Sequence, residues 1–162
     1  MTDFEGLLRA LASRSVSFII IGGAAATAHG SARLTQDLDV VYLREQENLQ
    51  RLADALDGLD AHLRGAPPGL PFRSDASTLR HGLNFTLATR LGDLDLFGEI
   101  AGGGGYWDLE PHCDRIVIFG IPCLCLGIDK LIEVKTAAGR PKDLEAVAEL
   151  EILREERELQ GD

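Results

Sequence analysis

Apolar positions along this chain recur with two periods. Phe4, Leu7, Leu8 and Leu11 recur at three and four, giving a first helix one apolar face, with Thr2 or Asp3 placed to cap it. From Val16 to Ile21 the run is continuous and β-branched, as in a strand covered on both sides. Gly22 and Gly23 end that run. Small residues from Gly23 to His29 then read as a short helix stopping at Gly30, a left-handed cap. A second strand is expected from Asp37 to Leu43, and an amphipathic helix from Glu45 to Leu56 through Leu49, Leu52, Ala53 and Leu56.

Alternation returns further on. Asn84 to Thr89 and Leu94 to Phe97 read as strands joined by a turn at Leu91-Gly92-Asp93, and Arg115 to Phe119 pairs with Ile121 to Leu126 around Gly120. Gly102 to Gly105 reads as a flexible loop before Tyr106-Trp107. Trp107 could stack on a base, although an aromatic beside a loop more often covers the edge of the core. Asp129 to Ala138 is helical through Leu131, Ile132 and Val134 until Gly139 stops it. Pro141 opens a last helix in which Leu144, Val147, Ala148, Leu150 and Ile152 are expected to pack.

Phe18 to Tyr42 is therefore a strand, glycine turn, short helix and strand, and it carries the candidate chemistry. Side chains alternate across a strand, so Asp37 and Asp39 point to one face, where two carboxylates repel unless a cation lies between them. Oxygen ligands of this kind suit Mg²⁺ or Mn²⁺. At the other end of the unit, Gly22 and Gly23 allow a tight turn before a helix start, a place suited to phosphate. Together these predict a metal–nucleotide site, with the GAPPGLP segment at 65–71 looping near it.

Gly22-Gly23, His29-Gly30-Ser31, Arg33 and Asp37-x-Asp39 resemble the defining motif of the polymerase-β-type nucleotidyltransferase superfamily, nearest to its minimal, abortive-infection and toxin–antitoxin types. The resemblance implies an α/β (α+β) fold, a mixed sheet flanked by helices with further helices after it, spanning residues 1–162 as one domain. It also implies transfer of a nucleoside monophosphate from an NTP, with two Mg²⁺ on Asp37 and Asp39 and a third carboxylate on a later strand. Asp95, embedded in Leu94-x-Leu96-Phe97, fits that third place and is a candidate base, whereas Asp93 beside the turn glycine is its competitor and reads as a solvated turn residue. Phosphate contacts would come from Gly22, Gly23, Ser31, Arg33, Thr35 and Lys135, the last in a Lys135 to Asp143 cluster similar to one found in toxin-type members. Thr35, Arg33 and Gln36 could equally bond the loop, and Lys135 could simply lay its stem along apolar neighbours. One departure stands out: many members have Gly-Ser where this chain has Gly22-Gly23, so a hydroxyl often offered to phosphate is absent.

Charge narrows the partners. With 26 acidic and 16 basic side chains the net charge is −10, which offers no general track for a long nucleic acid. A protein hydroxyl or small molecule is the favoured acceptor, with tRNA or a partner protein of a toxin–antitoxin pair as the alternative, and a non-catalytic nucleotide-binding module as another. No apolar stretch is long enough for a membrane span and no leader opens the chain, so a soluble cytoplasmic protein is expected. Three cysteines do not make a closed disulfide framework. Cys123, Cys125 and His112-Cys113 lack the spacing of a zinc site and read as buried strand residues. His29, His81, Lys130 and Lys142 read as structural or solvated.

Overall fold

The computed structural model describes residues 1–32, 35–67 and 72–161. Helix α1 (Phe4–Ser13) starts where Asp3 accepts a hydrogen bond from the Gly6 amide at 2.9 Å, and it buries Leu7, Leu8 and Leu11. Strand β1 (Phe18–Ile21) is buried at all four positions. It leads directly into α2 (Gly22–Ala28), after which the chain returns as β2 (Asp37–Tyr42) and continues into α3 (Gln46–Gly58). Asn48, 2% exposed, ties these elements together. Its Oδ1 accepts from the Ser17 amide, and its Nδ2 donates to the carbonyls of Ser17 and Leu43, so the entry to β1 and the exit from β2 share one side chain.

The remaining strands are β3 (His62–Leu63), β4 (Asn84–Thr89), β5 (Gly92–Phe97), β6 (Glu99–Ile100), β7 (Gly104–Gly105), β8 (Cys113–Ile118) and β9 (Ile121–Leu126). Seven of the nine strands among the described residues make one mixed sheet in the order β3-β4-β5-β2-β1-β9-β8, with β2–β5 and β1–β9 parallel and the other pairs antiparallel. Helices α4 (Ala76–His81) and α5 (Tyr106–Leu109) are short, and α6 (Ile128–Ala138) packs on α7 (Pro141–Leu159) after the sheet. Gly139, at φ +69°, makes the left-handed turn between those last two helices. A single apolar core runs from Leu7 to Leu150, with Ile19, Ile20, Leu38, Val41, Leu94 and Leu96 at its centre, all 0% exposed. None of the helices among the described residues is long and apolar enough to cross a membrane.

Three expectations give way. The Gly102–Gly105 stretch is not a free loop, because Gly104 and Gly105 pair with Ile100 and Glu99, and the positive φ of Gly102 and Gly104 makes the tight return possible. Trp107 does not cover the core edge: it is 61% exposed, with its indole N–H donating to Glu45 at 3.1 Å. In α7, Asp143, Ala146 and Leu150 face inward, which on a 3.6-residue period turns Leu144 and Ile152 to solvent. The last part of the 65–71 loop, residues 68–71, lies outside the described residues.

Candidate active site

Parallel pairing of β2 with β5 sets Asp37 beside Asp93 and Asp39 beside Asp95. Side chains that are register partners share a face, so four carboxylates stand there in two rows. Asp37, Asp39 and Asp95 each offer one oxygen within 4.8 Å of the others, and among the described residues this is the one cluster of three or more potential metal-ligating side chains. The cysteines and His112 form none.

Asp39 is the least compensated of the set. Its Oδ1 is buried with no hydrogen-bond partner among the described residues. Burial first, then the charges of Asp95 and Asp37, pushes its carboxyl up to about 7. Asp95 is also raised, chiefly by burial, although Arg64 pulls in the opposite direction. An orphaned buried oxygen among three carboxylates is a donor set that fits a hard divalent cation.

Glycine is required next to this cluster. Gly22 has φ +68°, and a Cβ there would overlap the Asp39 carboxylate. At Gly23 a Cβ would lie 2.6 Å from Thr35 Oγ1, so the Thr35 hydroxyl fills the space beside the second glycine while bonding the Asp37 carbonyl at 3.2 Å. The hydroxyl missing from a Gly-Ser turn thus has a neighbour standing in nearly the same place.

A cleft of about 590 Å³ opens over Asp37 and Asp39. Gly22, Gly23, Ser31 and Thr35 line it, Lys135, Arg140 and Lys142 come from α6 and α7, and Asn84, Phe97, Glu99 and Ile100 come from β4 to β6. Burial lowers the pKa of Lys135, against the opposing pull of Asp143 and Asp39. Arg140 is tied to the buried Asp143 carboxylate, its Nε 2.6 Å from Oδ2. Despite burial, which acts first and upward, the bonds from Arg140 leave Asp143 below the usual carboxylate range.

The structure brings together Asp37, Asp39, Asp95, Gly22, Gly23, Thr35 and Lys135. Ser31 lines the cleft, but its hydroxyl donates to Glu149 Oε1 at 2.5 Å. Arg33 lies outside the described residues. His29 bridges the Leu126 carbonyl and Arg157, His81 bonds the Ser77 carbonyl within its own helix, and Lys130 pairs with Glu133 at 2.8 Å. Sequence reasoning missed Arg64. Its guanidinium lies 2.5 Å from Asp95 Oδ1, 3.4 Å from Asp93 Oδ1 and 3.7 Å from Asp37 Oδ2. Nothing in its neighbourhood in the chain, between His62-Leu63 and the proline-rich loop, signals this role, because it is set by strand pairing 31 residues away.

In sequence, no protein-family profile matches the chain and no curated protein does. Solved structures do resemble it in shape. A Thermotoga maritima protein assigned to the nucleotidyltransferases superposes with a TM-score of 0.55 at 14% identity, covering 92% of this chain and 94% of its own. ANT(2″)-Ia in complex with adenylyl-2″-tobramycin gives 0.54 at 17% identity, covering 98% and 96%, and the solution structure of this antibiotic-resistance factor gives 0.51 at 19%, covering 96% and 89%. The mixed seven-stranded sheet, its flanking helices and the helices that follow it are the nucleotidyltransferase fold.

Proposed function

We propose that this chain is a nucleotidyltransferase, moving a nucleoside monophosphate from an NTP to a hydroxyl and releasing pyrophosphate. The observation that carries this reading is the buried, unpartnered oxygen of Asp39, placed among three carboxylates on the floor of a cleft whose wall holds Lys135. Asp37, Asp39 and Asp95 would hold Mg²⁺ or Mn²⁺, which when bound neutralises the triphosphate and makes the attacking hydroxyl more acidic.

The protein's own groups do the rest. The Gly22-Gly23 turn lets phosphate oxygens approach the backbone, with the Thr35 hydroxyl beside it and the Lys135 ammonium balancing their charge. Asp95 accepts the proton of the acceptor hydroxyl as its oxygen bonds to the α-phosphorus and the bond to the pyrophosphate oxygen breaks. For the acceptor, a protein hydroxyl or a compact small molecule is favoured. Net charge −10 supports this choice, and the ANT(2″)-Ia complex, which contains adenylyl-2″-tobramycin, is in keeping with it.

The test is incubation with each labelled NTP, Mg²⁺ or Mn²⁺, and lysate fractions enriched in small molecules, protein or tRNA. Label on small molecules or protein, lost with Asp39→Asn, is the expected result. Label on tRNA would move the chain to the tRNA-modifying toxin type. No labelling and no pyrophosphate release with any fraction would leave a nucleotide-binding module and overturn transfer.

A further inference from the structure

Arg64 follows the edge strand β3 and is anchored at its backbone, where its amide donates to the Thr86 carbonyl at 3.0 Å. Its side chain crosses to the carboxylate face. There Nη2 donates both to Asp95 Oδ1 and, at 2.8 Å, to the Leu87 carbonyl, while Nη1 and Nε only approach Asp37 and Asp93. The buried Nε has no hydrogen-bond partner among the described residues. One positive charge is thus shared by three carboxylates in a geometry that closes the two-pronged guanidinium bond on none of them. Asp39, the fourth, has no ion pair with Arg64, and its Oδ1 stays orphaned.

We propose that Arg64 is the internal counter-ion of the carboxylate site, a positioning residue that holds Asp95 in the cation-free protein and gives up that contact when a divalent cation binds. The inference rests on reading Asp37, Asp39 and Asp95 as the cation ligands. A cation bridging those three must draw on Asp95, yet the Asp95 oxygen facing Arg64 is already engaged at 2.5 Å, and a guanidinium and a divalent ion that share one carboxylate repel each other. The opposing effect is self-repulsion: without Arg64, four carboxylates on two adjacent strands would face one another with no cation among them. Arg64 therefore makes the cation-free state tolerable and lowers its appetite for metal. Gly65, next in the chain to the side chain that has to move, has φ +76°, and a Cβ there would meet none of the described residues within 4 Å.

The experiment measures Mn²⁺ binding to the full chain without NTP, by calorimetry or electron paramagnetic resonance, for the wild type, Arg64→Gln, Arg64→Lys and Asp39→Asn. Arg64→Gln should bind Mn²⁺ about tenfold more tightly than wild type and melt at lower temperature without metal, with the gap closing at saturating Mn²⁺. Arg64→Lys, which keeps the charge, should stay near wild type in Mn²⁺ affinity. Should Arg64→Gln not fold, the wild type itself gives the answer: the side-chain Nε–H resonance of Arg64 should shift and exchange faster with water on titration with Mg²⁺. Unchanged or weaker Mn²⁺ binding in Arg64→Gln, or a resonance indifferent to Mg²⁺, overturns the counter-ion role. If Asp39→Asn binds Mn²⁺ as the wild type does, it is the cation site itself that fails.

Discussion

Two pairs of neighbouring strands in the same sheet place polar or titratable side chains two residues apart, and among the described residues only one of them gathers a cluster of potential metal ligands. In β2 and β5 the parallel register sets like against like, Asp37 beside Asp93 and Asp39 beside Asp95. In β8 and β9 the antiparallel register sets Cys123 beside Ile116 and Cys125 beside Asp114, while Cys113 faces Leu126. Each of those thiols finds a backbone carbonyl, and burial pushes Cys113 and Cys125 up to about 12, which keeps them protonated and inert. The alternation of a strand puts groups on a face; chemistry arises where the neighbouring strand repeats the same charge and no internal partner cancels it. Asp39, beside Asp95 and with a buried oxygen that no described group bonds, comes nearest to both conditions, and the cysteines meet neither.

The largest effect should follow from removing that carboxylate. Asp39→Asn is expected to lower NMP transfer by at least on the order of 10²–10³-fold and to remove the rise in melting temperature given by Mn²⁺ with NTP. A thermal scan of the variant that still shows the full rise would break the contrast between the two strand pairs. Asp95→Asn comes next. If the proposed acceptor-side role holds, it should lose transfer while keeping most NTP affinity, and its contact with Arg64 is lost with it.

A smaller effect is readable in pH. The Asp39 carboxyl, raised from 3.8 to about 7 by burial and then by Asp95 and Asp37, holds a proton in the folded chain that the unfolded chain releases. Between those values the folded state binds more protons, so this group's contribution to stability is full below about pH 4 and is lost as pH rises through about 7. In metal-free buffer, urea unfolding of the wild type relative to Asp39→Asn should therefore lose roughly 1–4 kcal/mol across that window. Saturating Mg²⁺ favours the ionised carboxylate and should flatten the difference. A wild type that gains on the variant as pH rises, without metal, would contradict the assigned burial.

Much of this was legible from residues alone. Val16 to Ile21, the paired glycines, Asp37-x-Asp39 and the Asp3 cap carry their structure locally, through β-branching, absent Cβ atoms, alternation and a side-chain acceptor. The apolar flanks of Asp95 favoured it over Asp93 in the sequence, and it is Asp95 whose oxygen lies within 4.8 Å of Asp37 and Asp39. What could not be read are elements made by their partners. Strand β3 is two residues long and exists through pairing with β4, α4 is six residues long, and β6 and β7 need two glycines at positive φ. Arg64 belongs to the same class, as does the rotation of α7 that buries Asp143 rather than Leu144. In α7 apolar residues lie on more than one side of the helix, so their count does not by itself mark the buried face.

The smallest effect sharpens the comparison within β5 itself. Asp93 and Asp95 stand two apart on one strand and both approach Arg64, at 3.4 Å and 2.5 Å. Their surroundings differ: the Asp93 side chain is 38% exposed and the Asp95 side chain 15%. Exposure screens a charge, so Asp93 gains little from Arg64 and is free to meet water, whereas Asp95 is held under the guanidinium and within reach of Asp37 and Asp39. Asp93→Asn should accordingly change stability by no more than about 0.5 kcal/mol and leave transfer within a few-fold of wild type. Paired kinetic and urea-unfolding measurements on Asp93→Asn and Asp95→Asn decide it. If Asp93→Asn were the silencing change, the working carboxylate would be the one at the turn, and burial would no longer explain which of two like residues on a strand does chemistry.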